Sequence, residues 1–279
     1  MGRRSRTPGN PSRQFSHSSR EKDGAPKLIL DWSPRGSGSI AGLYAGQEHT
    51  IAGQQVWVYD KTSGGGATTS TFELTTSGIH VVHTGGSGDT TAMRLVLTDS
   101  GRFPGADLAR GSICCTASFT VASLNNTSSN LTLALEQEPR GDKPNEDHVQ
   151  YDCWVQAFRQ SSSDWRVRGV RSTGASAQSI VNYGADSLSG SEPSNVRLTL
   201  YGTNWSFFAG GDTTAGPGTF QGVGLGSNQL RMINAHGSGV TVHTGVSYPI
   251  VAIMFGRGDS TPVDVTLTNL RVWTYGYIA

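Results

Sequence analysis

Tyr248-Pro-Ile-Val-Ala-Ile-Met-Phe255 is followed by Gly256-Arg-Gly-Asp259 and then by Val263-Asp-Val-Thr-Leu-Thr-Asn-Leu-Arg-Val-Trp273. Two runs rich in aliphatic residues flank a turn-forming tetrapeptide, and the second alternates apolar with polar side chains before it reaches an aromatic. A period of two places one face of a strand in a core and the other toward water. Gly and Asp suit the tight turn between the runs. The stretch therefore reads as strand, turn, strand, with at least one strand half buried.

The same reading extends backward through the chain. Ser112–Ala122, Asn130–Glu138, Val149–Gln160, Trp165–Ser172 and Asn195–Leu200 are further strand-like runs, and Gly, Ser, Asn, Asp or Pro fills the gaps between them. Short strands with turn punctuation and no 3.6-residue period argue for a sandwich or jelly roll. Composition agrees: of 279 residues 37 are Gly and only 15% are charged, which suits a turn-rich all-β chain. No run approaches the roughly 18 apolar residues of a membrane helix. No apolar segment follows the basic N-terminus, so no secretory signal and no membrane partner are expected.

Charge divides the chain. Residues 1–27 hold seven basic residues and two acids, a net +5, whereas the rest holds 15 basic and 19 acidic residues, a net −4. The first 27 residues read as a basic flexible arm with almost nothing to bury, and Arg3, Arg4, Arg6, Arg13 and Arg20 are its candidate anchoring residues. Phe15 is the only aromatic there, which argues against nucleic acid as the partner. Residues 28–70 contain two apolar runs, Leu28–Trp32 and Val56–Tyr59, and end in the Gly/Ser-rich stretch Ser63–Ser70. They read as a docking segment and linker before a sandwich at 71–279. Their packing on a neighbour would make a homo-oligomer, with a trimer favoured.

The clearest hairpin is Tyr151–Arg159, then Gln160–Asp164, then Trp165–Arg171. Alternation sets Cys153, Val155 and Ala157 against Trp154, Gln156 and Phe158. On the second strand it sets Trp165 and Val167 against Arg166 and Arg168. One face is small and apolar, and the other carries aromatics, an amide and, if the register allows, arginines. Trp154, Gln156 and Phe158 are the candidate carbohydrate-binding residues, because an aromatic face beside an amide suits a sugar ring. Core packing is the competing role for each aromatic.

Other constellations are weaker. Glu136 and Glu138 share a strand face about 7 Å apart, a spacing that suits glycoside hydrolysis. Asp142, Glu146, Asp147 and Asp152 make an acidic stretch that matches no defined calcium loop. Arg-Gly-Asp occurs at 140–142 and 257–259, as Gly-rich turns readily produce. Asn125, Asn126, Asn130 and Asn204 head Asn-x-Ser/Thr triplets that lack a secretory context. His80 and His83, three apart on a strand, face opposite ways. Cys114, Cys115 and Cys153 are odd in number and two are adjacent, which reads as buried free thiols. No cofactor and no metal are expected.

Asn195-Val-Arg-Leu-Thr-Leu-Tyr-Gly-Thr-Asn-Trp-Ser-Phe-Phe-Ala-Gly-Gly-Asp212 joins an alternating strand, a turn, an aromatic strand and a Gly-Gly-Asp turn. This span and the closing strands resemble concanavalin-like lectin and glucanase domains over residues 71–279. Glucanases of this fold resemble Glu-x-Asp-x-Glu on a strand, whereas here Gln137 separates the two glutamates and Pro139 ends the run. The arm-plus-sandwich layout looks like accessory virion proteins of tailed bacteriophages: capsid decoration proteins, head fibres and tail fibres. The resemblance implies a concanavalin-like β-sandwich (jelly roll) in a non-enzymatic structural protein. Other virion proteins of the capsid or tail would be its partners, and surface glycan binding a second role. A stand-alone carbohydrate-binding lectin, and a glycoside hydrolase using Glu136 and Glu138, are the alternatives.

Overall fold

The computed structural model describes residues 27–40, 47–61, 69–84, 90–96, 112–124, 130–136, 153–172, 180–203, 207–217, 231–233, 250–256 and 262–275. These residues form strands, turns and extended connections, with no helix among them. Strands are numbered in chain order. One sheet contains, side by side, β15 (Arg231–Ile233), β14 (Phe207–Asp212), β13 (Asn195–Thr203), β8 (Ser112–Ser123), β17 (Val263–Tyr275), β6 (Ile79–Thr84), β5 (Thr69–Leu74) and β2 (Gly38–Ser39). Beside β17 it also holds β1 (Lys27–Trp32). The other sheet contains β12 (Ile180–Ser189), β11 (Asp164–Ser172), β10 (Cys153–Ser161), β9 (Asn130–Glu136), β16 (Ile250–Gly256), β7 (Thr90–Val96), β4 (Gln54–Lys61) and β3 (Gln47–Ile51).

Neighbouring strands among the described residues are antiparallel, and the chain changes sheet at β2–β3, β4–β5, β6–β7, β7–β8, β8–β9, β12–β13, β15–β16 and β16–β17. The result is the expected all-β architecture, an antiparallel two-sheet β-sandwich. Alternation explains how the sheets face each other. On β8, Cys115, Ala117, Phe119 and Val121 enter the core; on β13, Val196, Leu198 and Leu200 do so. From the opposite sheet come Leu131 and Leu133 of β9, Val155 and Ala157 of β10, and Trp165 and Val167 of β11. Each fully buried aliphatic or aromatic side chain contributes roughly 1.5–3 kcal/mol by leaving water.

β17 departs from strict alternation. Val263, Val265 and Leu267 point into the core, but so do Leu270 and Val272, one step out of phase. The register against β8 shifts between Leu267 and Asn269. This bulge inserts one residue and reverses the side-chain parity beyond it. It also marks a change of neighbour: residues 263–267 pair with β6, whereas 270–274 pair with β1. At the switch, Asn269 is buried and its amide donates to Asp31 Oδ1 at 3.0 Å and Ser33 Oγ at 3.0 Å, with Trp32 O at 3.2 Å.

The docking segment expected over residues 28–70 is instead woven into the sandwich. β1 pairs with β17, β2 with β5, and β4 with both β3 and β7. The reason is that Trp32, Ile51 and Val56 are core residues, at most 3% exposed. Trp32 also ties the two sheets, donating its Nε1–H to Ile51 O at 2.9 Å. A second tryptophan makes the matching tie at Leu124: Trp165 Nε1–H donates to Leu124 O at 3.3 Å, while Glu192 Oε1 accepts from Leu124 N at 2.6 Å. Both polar groups of a buried backbone position are thereby satisfied. Arm residues 1–26 and residues 62–68 of the Gly/Ser stretch lie outside the described residues.

Gly210–Asp212, read from sequence as a turn, instead ends β14 against Arg197–Thr199. Gly211 packs under the opposite sheet, where an added Cβ would sit 3.2 Å from Val167 Cγ2 and 3.2 Å from Arg197 O. Asp212 Oδ2 accepts two bonds from Arg197, at 3.0 and 2.6 Å, which fixes this end of the hairpin.

Candidate functional site

The β10–β11 hairpin turns at Ser162 and Ser163, and its register resolves which residues share the outward face. Trp154 stands opposite Val170, Gln156 opposite Arg168 and Phe158 opposite Arg166. On the other flank β9 places Thr132 opposite Gln156 and Asn130 opposite Phe158. Val155 and Ala157 are fully buried beneath, so Trp154, Gln156 and Phe158 are directed away from the core, as alternation requires. Trp154 and Phe158 are partly exposed, and Gln156 is buried at 8% within the layer of side chains.

A directional relay of hydrogen bonds crosses this face. Arg168 Nε–H donates to Gln156 Oε1 at 2.7 Å, Gln156 Nε2–H donates to Thr132 Oγ1 at 3.2 Å, and Thr132 Oγ1–H donates to Asn130 Oδ1 at 3.2 Å. Arginine has donors only, so it forces the Gln156 carbonyl toward itself and the amide nitrogen toward Thr132. The Arg168 guanidinium carbon lies 4.7 Å from the centroid of the Phe158 ring, a cation–π contact with its diagonal neighbour. Burial among these side chains pulls the Arg168 pKa down from its usual value, because desolvation disfavours the charged form. Arg166 is satisfied differently: its Nε–H donates to Asp164 Oδ2 at 2.7 Å across the mouth of the turn. On the core side of the same hairpin, Arg159 lies 5.3 Å from the Trp165 ring, closing that end of the sandwich.

The sequence-derived trio is thus brought together, in company with Arg168, Thr132 and Asn130. The two β9 residues were not readable in advance. Residues 137–152 separate β9 from β10 in the chain, and only the strand register joins Asn130 and Thr132 to Phe158 and Gln156. The same register is what sets Arg168 beside Gln156 and Arg166 beside Phe158.

The remaining candidates fall elsewhere. Glu136 ends β9 opposite Ile250, and Glu138 lies outside the described residues, as do Asp142, Glu146, Asp147 and Asp152 and both Arg-Gly-Asp tripeptides. Arg3, Arg4, Arg6, Arg13 and Arg20 lie outside them too. No group of three metal-ligating side chains occurs among the described residues. Cys114 and Cys115 are free thiols and buried on opposite faces of β8, and burial pushes the Cys114 thiol up to about 12. His80 and His83 do face opposite ways: His83 is fully buried, whereas His80 Nε2 meets Asp264 Oδ1 at 2.8 Å on the outer face of its sheet.

No family model and no curated protein matches the chain. Among solved structures it is similar to the CBM2 module of the evolved Dit of Lactobacillus casei BL23 phage J-1. Identity there is 11%, the match covers 92% of this chain and 99% of the module, and the TM-score is 0.48. It is also similar to the potassium-bound carbohydrate recognition domain of Emp46p, at 10% identity over 77% of this chain and 89% of that one, with a TM-score of 0.45. A third similar structure is the metal-free exoplasmic/lumenal domain of VIP36, at 7% identity over 77% and 85% of the two chains, with a TM-score of 0.44. With scores below 0.5, these likenesses add nothing to what strand pairing shows about the fold.

Proposed function

We propose that this chain is a non-enzymatic structural protein of a phage virion, a capsid decoration or fibre-attachment module, whose sandwich binds surface glycans through the outward face of β10 and β11. The observation that carries the binding role is the relay from Arg168 through Gln156 to Thr132, set beside the Phe158 ring and Trp154. Sugars present apolar C–H faces edged with hydroxyls. A flat aromatic surface bordered by fixed donors and acceptors complements both. The sheet supplies that surface without mobile loops, so little ordering is required on binding.

The virion role is supported by the charge layout of the sequence, with net +5 in residues 1–27 ahead of a net −4 body. The arm would anchor the particle end through Arg3, Arg4, Arg6, Arg13 and Arg20, and symmetric copies would offset weak single-site affinity.

Affinity electrophoresis of the full chain in gels containing polysaccharides tests the binding role. Retardation is expected, with Trp154→Ala and Phe158→Ala each weakening it about tenfold, the loss of roughly one stacking contact. Sugar release should be absent from the same incubations. No retardation by any polysaccharide, or retardation indifferent to both substitutions, would overturn the assignment. Co-sedimentation with assembled particles, lost when the five arm arginines are replaced by Gln, tests the anchoring role.

A further inference from the structure

The geometry points to an acidic glycan, one bearing carboxylate, sulfate or phosphate groups, as the ligand of this face, with Arg168 as the residue that selects the charge. The inference rests on the binding role proposed above and deepens it.

Arg166 and Arg168 stand two positions apart on one strand and so share the outward face, roughly 7 Å from each other. Their circumstances differ. Arg166 is neutralised by Asp164 at 2.7 Å. Arg168 has no carboxylate partner among the described residues; its Nε–H is spent on a neutral amide and its plane on the Phe158 ring. The register row through Arg168 runs Ala185, Gln156, Thr132, Met254 and Ala92, and none of these residues is acidic. The row through Arg166, containing Ser187, Phe158, Asn130 and Gly256, has no acid either.

A guanidinium held among side chains without a counter-ion is in an unfavourable state, and burial weighs against its charge. The Nε and ring contacts fix its orientation, which leaves the two terminal nitrogens, with four N–H donors, as the fork that a bidentate oxyanion fits. An arriving carboxylate or sulfate supplies the missing charge without any rearrangement. Lysine in this position would lose both the stacking and the Nε bond. A ligand with only hydroxyls would leave the guanidinium unneutralised.

The test uses full-length protein and two matched pairs of probes: polygalacturonate against its methyl ester, and dextran sulfate against dextran. Each pair keeps a backbone and changes only the charge. Binding to at least one charged member is expected to be about tenfold tighter than to its neutral partner. Polygalacturonate and dextran sulfate separate a carboxylate preference from a sulfate preference. Arg168→Gln should abolish the difference, and Arg168→Lys should restore only part of it, while far-ultraviolet circular dichroism shows both variants folded. Replacing the five arm arginines by Gln should leave the preference intact. Equal binding to charged and neutral members overturns the charge selection but leaves glycan binding standing. A preference that survives Arg168→Gln and vanishes with the arm variant overturns it as well, by placing the charge effect in the arm. Failure of all four probes to bind removes the binding role and the selection together.

Discussion

Gly78 shows how a single position constrains this sandwich. Its φ is +151°, and an added Cβ would run into the Leu267 carbonyl oxygen on β17, with the Thr266 methyl 3.1 Å away. The residue sits in the turn before β6, where its N–H and carbonyl both bond Thr75. Gly53, at φ +77° in the β3–β4 turn, has nothing within 4 Å of the same hypothetical atom. The two glycines separate backbone strain from steric exclusion. Gly53→Ala should cost about 1 kcal/mol, the strain alone, and Gly78→Ala about 3 kcal/mol or more, because β17 must also move. Urea denaturation of both variants measures the gap; equal costs would show that β17 yields freely there.

At the level of strands, β1 is held to β17 as much by polar side chains as by the ladder. Asp31 Oδ2 accepts from Arg271 Nη2 at 2.8 Å and its Oδ1 from Asn269 at 3.0 Å. The Arg271 bond first, then the Asn269 bond, hold the Asp31 carboxyl below its usual value, against the opposing effect of burial. A depressed carboxyl pKa adds stability above the unfolded value of about 3.9 and loses it as pH falls through the folded value. Asp31 is 39% exposed, so the contribution is less than about 1 kcal/mol. Asp31→Asn should therefore lower stability slightly at pH 7 and make no difference in strong acid, a comparison that denaturation at the two pH values provides. This attachment is also where sequence reading stopped short. Leu28–Trp32 was visible as an apolar run, but its partner lies about 240 residues away, and the bulge at Leu267/Asn269 that makes room for it leaves only a slipped alternation in Val263–Trp273. Local periodicity gave β8, β10, β11, β13 and β17 nearly to their ends. It gave Trp154, Gln156 and Phe158 a common face. It carried no information about register between distant strands, and that register is what delivers Thr132 and Asn130 to the site and joins Arg168 to Gln156.

Across the whole molecule, the two tryptophan ties, Trp32 to Ile51 and Trp165 to Leu124, join the sheets and leave the β10–β11 face outward. Every strand that borders β17 precedes it in the chain: β1, β6 and β8 are all in place before residue 263 is added. During synthesis these three strands must therefore wait with open hydrogen-bonding edges until their common neighbour leaves the ribosome. A nascent chain stalled before Val263–Tyr275 has emerged should resist neither protease nor aggregation, and one carrying a C-terminal spacer long enough for Tyr275 to clear the exit tunnel should acquire protection in a single step. Pulse proteolysis of stalled chains of increasing length measures this directly; gradual protection beginning with β8 would contradict it. This sheet is closed from its middle rather than from its margin, so the time taken to add residues 263–275 sets how long three open edges are exposed to their neighbours.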